Sequence, residues 1–462
     1  MTQDVPSAGS APRWGEQTRL AVDNFPISGE PMPTPVVRAL AEIKGAAAAV
    51  HRARGLIDAD LAEAIERAAA AVTDGRWDDQ FPVDVFQTGS GTSTNMNVNE
   101  VVANLASEAL GRPVHPNDDV NRSQSSNDAV PAATRLAAAG LVTNQLAPAL
   151  DRLAHSLRAL SAAHTGTVKM GRTHLMDAVP MTFGQEVGGW ARSVELGRDR
   201  ITSCLDRLLE LPLGGTAVGT GLNAPPGFDA DIATELARRT GLATRPAADH
   251  MEAQSRTDSL TELSAMVKVV SLSLYAIAGD LRLLGSGPVG GLAEIRLPSL
   301  QAGSSIMPGK VNPVIPEAVQ QVAAQIVGND ATVTFAATMS NLQLNTAAPV
   351  IARALVSSLQ LLANAARLLA DRCITGIAVD ADRMLDVARR SPALVTVLAP
   401  SLGYDAAAAL VSRAREDGRP LAELARDAGV PEHVTARLDD LAGMTRPSPD
   451  VSRSTGSGTG AP

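Results

Sequence analysis

With 462 residues, a formal charge of −9 and a pI near 5.4, the chain is too long for one core of typical size. It is also too acidic for general nucleic-acid binding, which needs basic patches to displace counterions from phosphates. Its two cysteines, Cys204 and Cys373, have no near partner and no Cys-x-x-Cys or Cys/His spacing, which argues against a disulfide framework, a zinc site or an iron–sulfur cluster and fits a reducing cytoplasm.

The N-terminal "MTQDVPSAGSAPRWGEQ" has no charged start followed by an apolar run, so no signal peptide is expected. Residues 1–125 read as a domain that mixes short helices with Pro/Gly turns. Long helices then follow over about Asp128 to Ala163, with a kink at Pro148, and over Thr182 to Glu210, Gln254 to Leu284, Pro316 to Met339 and Pro349 to Cys373. In the third of these, Leu260, Leu263, Val267, Val270, Leu274, Ile277, Leu281 and Leu284 recur at alternating steps of three and four, the seam of a helix packed along its length. At roughly 1.5 Å per residue it would be about 45 Å long. Met266, Val269 and Leu272 lie off the seam, so this helix should meet neighbours on more than one side.

The most apolar stretch, Val269 to Gly279, is bounded by Lys268 and Asp280 and is too short to span a bilayer, so no membrane association is expected. Beyond residue 380 the helices shorten, forming a small domain over 380–448. The segment 449–462 is rich in Ser, Gly and Pro and reads as disordered. Aromatic residues are only 2% of the chain, which leaves Ala, Leu, Val and Ile to build the core. The expected fold is all-α, a central bundle of five long helices (126–379) flanked by two smaller, mostly helical domains. There is no internal repeat and no strand-rich region.

Four polar clusters interrupt this helical background: "TGSGTSTNMNVNE" (88–100) with Ser90 and Thr92, "HPNDDVNRSQSSND" (115–128) with Ser125, Ser126 and Asn127, "GRTHLMDAVP" (171–180) with Thr173 and His174, and "GSSIMPGKVNP" (303–313). Taken singly, each has a plainer explanation. Ser, Thr, Asn and Asp before a helix are usual N-caps, a lone histidine is usually a hydrogen-bonded structural one, and Gly303 and Gly309 could mark a surface turn. Shared chemistry argues against four independent caps. Each cluster offers neutral donors at an expected helix N-terminus, where free N–H groups and the helix dipole favour anions. Together they describe a site for carboxylates.

"GSSIMPGKVNP" resembles the signature loop of the fumarase/aspartase superfamily, and the other three clusters resemble that superfamily's remaining segments in the same order, from about Trp14 to Gly443. The resemblance is greatest to class II fumarases, which are metal-free, cofactor-free homotetramers that interconvert fumarate and (S)-malate. It implies that Ser304 is the base that removes the C3 proton of malate and that Lys310 and Asn312 bind the substrate carboxylate. Thr173 and His174 would lie near the leaving hydroxyl or attacking water, with Glu317 paired to His174. Ser90, Thr92, Ser125, Ser126 and Asn127 would complete the pocket, and His115, Asn117 and Asp118 match a second dicarboxylate site. It further implies sites assembled from three subunits.

The chemistry asks for these residue types. Removing a proton beside a carboxylate drives a dianion toward a trianionic, enediolate-like species, so the dominant need is charge stabilisation, which Lys310, Asn312 and loop N–H groups can supply. Serine is a poor base unless donors or a cation activate it. Pro313 stops the loop and opens the next helix, and Glu317 in that helix's first turn has a plainer role as an acidic residue at the positive end of the dipole.

Two other functions compete. An aspartate ammonia-lyase shares the fold, the loop and the dicarboxylate; "SSN" (125–127) and "HPNDD" favour fumarase, whereas "NLQLN" (341–345) departs from the fumarase pattern and is partly aspartase-like. A catalytically dead structural relative, like the lyases recruited as lens proteins, would be expected to have lost the base or its loop, and Ser304, Lys310, Asn312 and His174 are all present.

Overall fold

The computed structural model describes residues 12–447, so the expectations for the first eleven residues and for the 449–462 tail lie outside the described residues. The chain divides into two compact units. One comprises the residues up to Asp151 with Glu195–Tyr275 and Ala318–Arg367; the other comprises Arg152–Val194, Ala276–Glu317 and the residues from Leu368 onward.

The five long helices form at Ser126–Ala163, Phe183–Ser203, Asp258–Leu284, Val314–Ala337 and Ala348–Arg372, in an all-α fold with few short strands. All eight seam residues of the Asp258–Leu284 helix are buried. Of the three off-seam residues, Val269 and Leu272 are exposed within the chain. The first long helix is not continuous: a π-helical turn, Val142–Leu146, separates Ser126–Leu141 from Ala147–Ala163. The cause is the expected one, since the Pro148 ring has no N–H for the carbonyl four residues earlier and collides with it, which shifts the ladder register just upstream.

Two further expectations need correction. Within residues 1–125 the helices Thr34–Ala53, Ala59–Thr73 and Thr92–Leu110 run for 20, 15 and 19 residues and are not short. The apolar run from Val269 also belongs to a helix of 27 residues. By length and composition alone, that helix and the run Ala348–Gly376 could each cross a membrane, although 44% and 61% of their most apolar windows are buried inside the chain. Midway along the first of them, Ser264 and Lys268 both bond Asp330 on the neighbouring Val314–Ala337 helix, at 2.7 and 2.5 Å. Such a buried polar tie suits a protein neighbour, not lipid.

In the first unit, Thr34–Ala53 packs against Ala59–Thr73, Ser126–Leu141 and Phe228–Thr240. His51 on this helix is buried, stacks on Phe228 with ring centroids 5.3 Å apart, and meets Ser123 Oγ at 3.1 Å. Burial, with Arg122 and Arg54 nearby, pushes the imidazole down to about 4 from 6.5. Between those values the folded state binds fewer protons than the unfolded chain, so stability falls as pH drops through about 6.5 and the loss is complete below about 4. The effect is on the order of 3 kcal/mol. His51→Phe keeps the stacked ring and should flatten the decline in thermal midpoint across this window. A variant whose midpoint falls in parallel with the native protein would remove His51 as the cause.

In the second unit the short helices Ala381–Arg390, Tyr404–Asp417 and Leu421–Asp427 share a core of Leu394, Leu398, Leu410, Leu424 and Leu438 with Met170. Met170 belongs to the antiparallel hairpin Val168–Thr173/Met176–Thr182, the longest strand pair among the described residues.

Candidate active site

The first two polar clusters meet in one place. Ser90 Oγ lies 2.7 Å from Thr92 Oγ1, which lies 2.7 Å from Ser126 Oγ, giving a chain of three hydroxyls across the N-termini of the Thr92–Leu110 and Ser126–Leu141 helices. Gly89 holds the first turn in place, because a Cβ there would lie 2.2 Å from the Thr346 carbonyl oxygen, and its own carbonyl accepts from Ala348 N at 3.0 Å. Ser125 does serve as an N-cap: its Oγ accepts from Asn127 N while Asp128 Oδ1 accepts from Ser125 N. Asp128 is fully buried, and its other oxygen accepts from Gly214 N and Thr216 N. Burial pushes its carboxyl up to about 6, against the pull of those N–H donors and of Lys44. Asn127 Nδ2 donates to Ala217 O. The cap therefore ties the turn before Ser126 to the 214–217 loop.

The third cluster does not start a helix, contrary to the sequence expectation. Thr173 and Met176 pair across the hairpin, leaving His174 and Leu175 as a two-residue turn with φ of 53° and 62°. Positive φ at both central residues is the turn that matches strand twist, a position usually given to Asn-Gly, and it costs a histidine and a leucine about 1 kcal/mol or more each. Residues so held cluster at working sites. Thr173, His174 and Leu175 are exposed. The hairpin beneath them is fixed from two sides. Buried Lys169 pairs with Glu186 at 2.6 Å and with Glu294 at 2.9 Å, Arg172 pairs with the same Glu294, and Asp177 accepts from Ser391 Oγ at 2.6 Å. Burial alone would raise the Glu294 carboxyl, but the Arg172 and Lys169 cations hold it below the usual carboxylate range. These anchors were missed in the sequence because strand period and helix period are hard to separate in a segment this short.

The fourth cluster closes on itself. Gly303 N donates to Lys310 O, Asn312 Nδ2 donates to Gly303 O at 2.7 Å, and a Cβ at Gly303 would lie 2.2 Å from Lys310 O. Only glycine fits that clasp. Within it, Ser304 Oγ accepts from Ile306 N and Met307 N, both at 3.2 Å, and shares a cleft with Lys310. Two N–H donors aimed at one hydroxyl oxygen stabilise its anion, the activation that a serine base requires. Lys310 makes no ion pair among the described residues. The next helix starts at Val314, and Glu317 N bonds Pro313 O. Glu317 and His174 make no hydrogen bond or ion pair with one another within the chain.

His115 caps the turn Pro116–Val120, its Nδ1 accepting from Asn117 N and Asp118 N, and all three side chains face solvent. In "NLQLN", Asn341 and Leu344 pair in a short hairpin, and Asn345 Oδ1 accepts from Ala347 N beside the start of the Ala348–Arg372 helix.

An all-α fold that gathers hydroxyls at helix N-termini and carries a glycine-clasped serine loop defines a lyase of the fumarase/aspartase type. Residues 7–328 match the family described as Lyase, and residues 394–446 match Fumarase C C-terminus. The chain is 49% identical over 436 residues to a Mycobacterium tuberculosis class II fumarate hydratase, covering 93% of this chain and 92% of the relative. It is 47% identical over 433 residues to the class II fumarate hydratase of Xylella fastidiosa, covering 94% and 92%. Among solved structures, a recombinant class II fumarase from Schistosoma mansoni superposes with a TM-score of 0.91 at 36% identity, covering 94% of this chain and 96% of that one. A fumarate lyase:delta crystallin from Brucella melitensis bound to cobalt gives 0.90 at 42%, covering 95% and 97%. The chain belongs to the class II fumarase family.

Proposed function

We propose that the protein interconverts fumarate and (S)-malate by anti addition and elimination of water, with Ser304 as the base. The observation that carries this reading is the 303–313 clasp, in which Ser304 Oγ receives two backbone N–H donors beside Lys310, which makes no ion pair among the described residues. Ser304 takes the C3 proton; Lys310 and Asn312 bind the carboxylate on which negative charge grows. Ser90, Thr92, Ser125, Ser126 and Asn127 hold the substrate through helix N-termini and hydroxyls. Thr173 and His174, presented at the tip of an anchored hairpin, handle the water, with Glu317 orienting the imidazole. His115, Asn117 and Asp118 form a second dicarboxylate site.

The protein is a cytoplasmic homotetramer in this reading, with residues 126–379 as its helical core. Leu272, Tyr275 and Phe335, which expose 48%, 48% and 73% of their surface on the long helices, support that assembly. A shared site also accounts for the absence of a Glu317–His174 contact within one chain, since the partner of each would come from a different subunit.

Neither a metal nor a cofactor is required by the proposed steps. Fumarate absorbance should therefore decay to an equilibrium with malate at the same rate with and without EDTA. Loss of activity in EDTA, restored by one divalent metal, would contradict the proposed chemistry.

A further inference from the structure

Fumarate and malate are dianions, and of the three cations in the four clusters Arg172 is paired with Glu294 and Arg122 donates to Leu56 O, which leaves Lys310 to answer for one carboxylate. A further cation, Lys44, sits behind the first two clusters. Lys44 lies on the buried side of the Thr34–Ala53 helix with 0% exposure. Its Nζ donates to Asn95 Oδ1 and Asn121 Oδ1 at 2.8 Å and to Gln124 Oε1 at 2.9 Å. Three acceptors match the three N–H donors of an ammonium, one more than a neutral amine offers.

Those acceptors sit behind the pocket. Asn95 is three residues into the helix that opens at Thr92, and Gln124 immediately precedes Ser125. Asn121 bonds both sides, accepting from Asn95 Nδ2 and donating to Gln124 O, each at 3.1 Å. The ammonium thus joins the two segments whose hydroxyls meet at Thr92 and Ser126.

Resting on the dicarboxylate reading above, we infer that Lys44 is a positioning residue for substrate binding: it locks the two helix N-termini together and supplies, from behind them, the positive charge that favours the second carboxylate. It does not touch substrate. A buried positive charge with neutral ligands acts at short range in a medium that screens it little, so its field reaches the pocket where a surface lysine's would be damped by salt. Burial pushes the Lys44 ammonium down to about 7, and Asp128 opposes that shift.

The test uses the full-length protein with Lys44→Met, which fills the space without charge, and Lys44→Gln, which keeps part of the hydrogen bonding. Succinate and butyrate binding are measured by calorimetry, alongside KM and kcat for fumarate. Both variants should assemble and lose about tenfold or more in succinate affinity and in KM, with a smaller change in kcat and little change for the monocarboxylate butyrate. Unchanged succinate affinity, an equal loss for butyrate, or failure of both variants to assemble would each overturn the proposal. A native protein that binds succinate but does not hydrate fumarate would sink the functional reading while leaving the comparison of variants intact.

Discussion

Ser304→Ala should lower turnover by several orders of magnitude and leave the protein folded. The hydroxyl accepts N–H groups from Ile306 and Met307, two residues exposed in a loop whose backbone is held separately by the Gly303–Lys310 clasp and by Asn312. Water can replace the lost acceptor, so the stability cost should be about 1 kcal/mol or less. The catalytic cost is of another size, because no other oxygen in the clasp receives the two donors that make an alkoxide accessible. Malate dehydration, followed by fumarate absorbance, is the assay, with assembly checked by native mass. Near-native turnover would remove Ser304 as the base. Ser305→Ala should be milder, since nothing in the clasp depends on its hydroxyl.

A second large effect is expected from mixing two inactive proteins. If Ser304 and His174 reach one site from different chains, Ser304→Ala and His174→Asn subunits, dissociated and reassembled together, should regain malate dehydration. A site is whole when its serine loop comes from one parent and its His174 hairpin from the other. Each contribution is correct about half the time, so roughly a quarter of sites should recover. The hairpin's own anchors, Glu294 on Lys169 and Arg172, lie within its chain, so the imidazole should be delivered in its native turn whichever subunit receives it. No recovery in confirmed mixed tetramers would place both residues in the site of one chain.

Long-range packing was readable where a period repeated often enough. Eight seam residues over seven turns marked one face of the Asp258–Leu284 helix, and all eight are buried. The 303–313 loop is readable through its resemblance to a family signature and through Pro313 at a helix start, whereas the backbone crossing that demands glycine at Gly303 shows only in the structure. The hairpin at 168–182 was hidden because its turn uses His-Leu in place of Asn-Gly, a local cost that only the surrounding anchors explain. Lys44 was hidden in the alanine-rich "EIKGAAAAV", where a single lysine reads as a solvated residue, and its importance appears only when Asn95, Asn121 and Gln124 converge on it. Lys268 and Asp280 look like the ends of an apolar run in the sequence, but Lys268 is paired with Asp330 inside the helix packing, so the apolar helix continues past it.

A fumarase site eliminates water from malate in preference to ammonia from aspartate, and "NLQLN", partly aspartase-like, makes that preference the point to measure. The direct measurement is the appearance of fumarate absorbance when the purified protein is given (S)-malate and, separately, aspartate. A kcat/KM for malate far above that for aspartate is the predicted result; faster formation of fumarate from aspartate would contradict it.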